Sequence, residues 1–99
     1  MGRKKQIGVC ELCEREEVET TVHHLIPKEM GGVFGPVSVL CIPCHKQIHA
    51  LYNNIELAKR LSSIELLKQD EKISSFINWV RKQPAGKLPK TRRSNHRKR

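Results

Sequence analysis

Two Cys-x-x-Cys units, Cys10–Cys13 and Cys41–Cys44, stand 27 residues apart in a chain of 99. A tight turn brings the two side chains of each unit together. A chain this short, 37% hydrophobic and 4% aromatic, buries only a thin core. The spacing therefore predicts a staple, with Cys10, Cys13, Cys41 and Cys44 holding one structural Zn²⁺. Four thiolates saturate a tetrahedral ion and leave no open position, so such a site supports the fold and performs no catalysis. Structural zinc supplies about 10 kcal/mol or more of folding free energy. A redox Cys-x-x-Cys would need only one such unit and a βαβ setting that the pattern lacks. A site built from Cys41, Cys44, His45 and His49 would strand Cys10 and Cys13.

Charge divides the chain. Of 19 Lys and Arg, three lie in the first five residues and seven in the last thirteen, leaving nine to face all 10 acids over residues 6–86. The net +9 thus sits in two tails on a body that nets −1. Tails of one sign repel themselves and favour a polyanion: nucleic acid first, an acidic membrane surface second, with a solubilising or targeting role as the bland alternative. No apolar run approaches the ~20 residues of a membrane span, and residues 1–9 lack the apolar core of a secretory signal. The expected location is cytoplasmic, or nucleoid-associated.

The expected organisation is a basic N-terminal arm over residues 1–8, one domain over 9–83 and a disordered basic tail over 84–99. Thr21 and Val22 alternate as a short strand into His23 and His24, and Val37–Leu40 reads as a second strand. Pro27, Gly31, Gly32, Gly35 and Pro36 mark the loop between them. From Cys44, the residues His45, Ile48, His49 and Tyr52 recur at helical spacing until Asn53 and Asn54 interrupt it. Ile55, Leu57, Leu61, Ile64 and Leu67 continue an amphipathic course, with Ser62 and Glu65 at capping-box spacing. Asp70 is placed to cap a last helix whose stripe is Ile73, Phe76, Ile77 and Val80, with Trp79 flanking it. The fold class is small α+β.

Four of the five histidines fall in two short segments. His45 and His49, four apart on one helix face, can ligate one ion. His23 and His24 are neighbours in an extended segment, so only one of them readily points at that ion, which suits a ligand beside a base.

The string His23-His24-Leu25-Ile26-Pro27, then Gly31-Gly32, then Leu40-Cys41-Ile42-Pro43-Cys44-His45 resembles the HNH endonucleases, the ββα-metal (His-Me finger) nucleases, in the subset with a four-cysteine zinc ribbon. The resemblance covers residues 9–54 well and extends through the helices to about residue 83. The resemblance implies His24 as general base, His23 and His45 as ligands of a catalytic divalent metal, and His49 as a further ligand. It also implies DNA as substrate, cut to 5′-phosphate and 3′-hydroxyl ends. Imidazole ligands suit Mn²⁺ or another transition metal at least as well as Mg²⁺. The family's middle Asn belongs nine residues before His45, where this chain has Pro36, with Ser38 the nearest polar side chain. That departure bears on how His24 is positioned. Asn53 or Asn54 entering the site is the alternative register. Phosphate contacts are expected from Arg92, Arg93, Arg97, Lys98 and Arg99, with steep salt dependence and little base specificity. Nicking or structure-directed cutting follows, with a partner or homodimer mate needed to cut both strands. The rival function is a zinc-ribbon nucleic-acid-binding module with weak or no catalysis.

Overall fold

A computed structural model describes residues 6–84. The N-terminal bases, the whole run from Lys87 to Arg99 and the proposed phosphate contacts Arg92, Arg93, Arg97, Lys98 and Arg99 lie outside the described residues. The order of elements is β1 (Gln6–Gly8), β2 (Val18–His24), a 3-10 turn (Lys28–Met30), β3 (Val37–Cys41), then helices α1 (Ile42–Leu51), α2 (Asn54–Arg60), α3 (Ile64–Gln69) and α4 (Glu71–Val80). This is a small α+β domain with one three-stranded antiparallel sheet, ordered β1-β2-β3.

The expected strands are present, and β2 opposes β3 in the register Thr21↔Leu40, Val22↔Val39, His23↔Ser38 and His24↔Val37. Period-two alternation therefore puts Thr21, His23, Ser38 and Leu40 on one face, the face α1 covers. Residues 6–8, expected as part of a loose arm, instead pair with β2 as an edge strand, Ile7 opposite Glu19.

Helix α1 begins at Ile42, two residues before the expected start. Cys41 is its N-cap and Pro43 sits in the first turn, where no backbone N–H is needed. The helix ends at Leu51. Asn53 then opens α2 with a reciprocal box: its side chain accepts from the Glu56 N–H at 2.9 Å, and Glu56 accepts from the Asn53 N–H at 3.2 Å. The box expected at Ser62 and Glu65 does not form. Ser63 caps α3 instead, accepting from the Leu66 N–H at 3.1 Å, and the apolar course through 55–67 is broken into two helices at Leu61–Ser63. Asp70 caps α4 as expected, accepting from the Ile73 N–H at 3.1 Å and from the Tyr52 hydroxyl at 2.6 Å. Ile73, Phe76, Ile77 and Val80 are buried, and Trp79 packs at the edge of the core. Among the described residues no helix is long and apolar enough to cross a membrane.

Candidate functional site

The first knuckle is a turn whose two amides serve one sulfur: the N–H groups of Leu12 and Cys13 each lie 3.4 Å from Cys10 Sγ. The Cys10 carbonyl accepts from the Glu14 N–H at 2.9 Å, with Glu14 in the left-handed region at φ 67°. The second knuckle is the β3–α1 corner, which supplies Cys41 from the cap and Cys44 from the first helical turn. All four cysteines are free thiols and buried, and their sulfurs lie within 4.8 Å of one another. The Cys13–Cys41 separation of 3.8 Å is close to the edge of a tetrahedron with Zn–S bonds of about 2.3 Å. The cluster could hold a metal ion such as zinc.

The thiols divide their protons unequally. Hydrogen bonds from Cys10, Cys41 and Cys44 hold Cys13 far below the ordinary thiol range. Hydrogen bonding with Cys10, Cys13 and Cys41, together with burial, pushes Cys44 far above it. A dication would remove that competition by favouring thiolate at all four. Arg15 is the outer partner: Nη2 donates to Cys41 Sγ at 3.5 Å, and Nη1 to the carbonyls of Gln83 and Pro84 at 3.2 and 3.3 Å. Arg81 Nε donates to the Cys13 carbonyl at 2.9 Å. The end of the described chain is thus tied to the first knuckle.

The histidines form a second, separate cluster. His23, His45 and His49 each bring a ring nitrogen within 4.8 Å of the others, with ring centroids 5.0–5.4 Å apart. His45 and His49 therefore join His23, not Cys41 and Cys44. His24 stays outside the trio, half-buried, in the wall of the same open pocket of about 390 Å³. Burial, followed by the neighbouring imidazoles, pushes His23 down to about 4. Burial does the same to His45, also to about 4, and lowers His49. Three neutral imidazoles facing one point are a donor set for a divalent cation.

His23 is only 1% exposed, yet neither of its ring nitrogens has a hydrogen-bond partner. The hydroxyl of Ser38, opposite it on β3, is likewise buried and unpartnered. Buried polar atoms are normally satisfied, and an ion on the three rings would satisfy one His23 nitrogen. His45 is already oriented. Its Nδ1 lies 2.7 Å from Thr21 Oγ1, and that hydroxyl donates to the Leu40 carbonyl at 3.3 Å. A hydroxyl has one hydrogen and a carbonyl only accepts; with that hydrogen on the Leu40 carbonyl, His45 Nδ1 donates to Thr21 and Nε2 keeps the free lone pair. This is how a protein fixes the tautomer of a histidine ligand.

Pro36, in place of the expected Asn, contributes its carbonyl: the Leu25 N–H, next to His24, donates to it at 3.1 Å. The base of the loop is thus closed by backbone alone. Asn53 is spent as a helix cap, while Asn54 lines the pocket with Lys28 and Glu29. Sequence reasoning missed Thr21, Lys28, Glu29 and Arg15. Only Thr21 had a readable signal, since it lies two residues before His23 on the same strand face.

No family model matches the chain, and no solved structure matches it. The uncharacterized protein YisB of Bacillus subtilis (strain 168) is 59% identical over 95 residues, covering 95% of each chain. At that identity over nearly the full length of both, the chain belongs to the same protein family as YisB.

Proposed function

We propose that the chain is a metal-dependent DNA endonuclease of the HNH type, nicking or structure-directed, built on a ββα-metal hairpin and helix. The observation that carries the reading is the trio of His23, His45 and His49 nitrogens within 4.8 Å, with His24 beside them in an open pocket. The support is chemical. Phosphodiester hydrolysis needs a base for water, positive charge at the phosphate and help for the departing 3′ oxygen. A divalent ion on the three imidazoles would supply that positive charge. His24 would accept the proton from the attacking water, and the hydrogen bond from the Leu25 N–H to the Pro36 carbonyl holds the backbone next to it. Thr21 would hold His45 in the liganding tautomer, and Lys28, in the pocket wall, would meet a phosphate oxygen. The four cysteines would hold zinc and take no part in the reaction.

A second reading, a zinc-ribbon module that binds nucleic acid without cutting it, draws on Pro36 standing where HNH nucleases carry Asn. Plasmid nicking separates the two. Wild-type protein with Mn²⁺ or Mg²⁺ should convert supercoiled DNA to the open circle, and His24→Ala should bind DNA without doing so. Wild-type protein that is inert across several divalent metals and several DNA structures would leave only the binding module.

A further inference from the structure

Phe34 is 99% exposed, on the loop that joins β2 to β3. Its position is built, not slack. The Gly35 N–H donates to the Gly32 carbonyl at 3.0 Å, closing a turn with Phe34 at its third position, and the Gly32 N–H donates to the Pro27 carbonyl at 3.1 Å. Gly32 lies so close to the Ile26 carbonyl that a Cβ there would fall 1.7 Å from its oxygen. The chain thus uses a residue without a side chain to hold a large aromatic in water, although burying a Phe is worth about 2–3 kcal/mol. The same loop, through Pro27, Lys28 and Glu29, forms a wall of the histidine pocket. Phe34 stands two residues before Pro36, whose carbonyl accepts from the N–H of Leu25, the neighbour of the pocket residue His24. Val37, cross-strand from His24, is also exposed, so the surface beside the pocket offers apolar contact where a pure phosphate grip would offer charge.

We propose that Phe34 is a base-stacking wedge that inclines the site towards DNA strands with unpaired bases. The proposal rests on reading the histidine pocket as the place where a phosphodiester is cut. An aromatic face accepts any base, so the wedge adds affinity without sequence preference. Entering an intact duplex would first require unstacking a base step, whereas a gap or branch presents the base already free. Selection would therefore be by DNA structure.

The test uses the full chain carrying His24→Ala to prevent cutting, with fluorescently labelled gapped and intact duplexes of equal length. Phe34→Ala should weaken binding to the gapped duplex about tenfold, within the range for loss of one base–aromatic stack, and change the intact duplex little. The salt slope should stay constant, because an apolar contact releases no counterions. Phe34→Trp should restore binding. Melting should be the same for all three proteins, since the side chain contacts water. Gapped-duplex affinity that stays within twofold on Phe34→Ala overturns the wedge. So does a wild-type dimer that Phe34→Ala dissociates in sedimentation, which would make the residue a contact between copies. Nicking by wild-type protein is scored separately. A wedge that survives beside an inert wild type removes the nuclease reading alone, and an active wild type indifferent to Phe34 removes the wedge alone.

Discussion

The burial of His23 makes stability depend on pH between about 4 and 6.5. Its ring is 1% exposed, with both nitrogens unpartnered, and burial pushes it from an ordinary 6.5 down to about 4. Between those two values the unfolded chain binds a proton that the folded chain refuses. Stability therefore rises with pH there: the contribution is complete above about pH 6.5 and is lost as pH falls towards 4. The fall from 6.5 to about 4 corresponds to about 3 kcal/mol in full, of which about 2 kcal/mol is lost by pH 5. His23→Leu replaces the ring by an apolar group that does not titrate. Urea unfolding of both proteins at steps from pH 7.5 to pH 5, without added divalent metal, gives the difference directly. Proton competition at the four cysteines is common to both and cancels. The wild type should lose about 2 kcal/mol more than the variant over this range. Parallel curves would refute the claim that the fold holds His23 neutral.

Other perturbations have equally definite outcomes. The purified protein should carry about one zinc per chain, and Cys44→Ser should release it and unfold the domain; a zinc-free sample that melts cooperatively would contradict the staple. Thr21→Val removes the hydroxyl bonded to His45 Nδ1 and should weaken Mn²⁺ binding at the histidines by about 10–100-fold while leaving zinc content unchanged, as titration calorimetry and metal analysis would show. Asp70→Ala loses both the α4 cap and the acceptor for the Tyr52 hydroxyl. Its denaturation midpoint should fall by the equivalent of about 1–3 kcal/mol, and a change below about 0.5 kcal/mol would count against the cap.

The two clusters were legible in the sequence because most of their logic is local: Cys10–Cys13, Cys41–Cys44 and His45–His49 each place two side chains within one turn or one helix face, and the fold had to bring these units together and add His23 from β2. Helix ends were less so. Ser62 and Ser63 are equivalent in type, and which of them caps α3 depends on where α2 stops, at a break that continuous apolar spacing from Ile55 to Leu67 conceals. Strand β1 had no alternation to read, because its three residues are held by β2 and not by their own pattern. Lys28, Glu29 and Asn54 reach the pocket from a 3-10 turn and the start of α2. Their meeting is tertiary, and no spacing along the chain encodes it.

The two clusters share one element without sharing ligands, and this bears on how each could keep its own metal. Cys44 and His45 are adjacent in α1, yet Cys44 turns to the knuckles and His45 to the sheet face carrying Thr21 and His23. Four thiolates around a dication would carry a net charge of −2. Half of what balances it is visible in Arg15, whose guanidinium is held charged by Cys13 and Cys41 against the cost of its own burial; the positive N-terminal end of α1 supplies more. Three neutral imidazoles around a dication would carry +2 instead, and Glu29 is an acid in the wall of their pocket. A soft, anionic, closed site beside a neutral imidazole site would select metals by ligand chemistry, and the β3–α1 corner carries Cys41 and Cys44 into the first and leads into the helix that carries His45 and His49 to His23. Losing the cysteine-bound ion should therefore disorganise the histidine trio, whereas emptying the trio should leave the cysteine cluster intact.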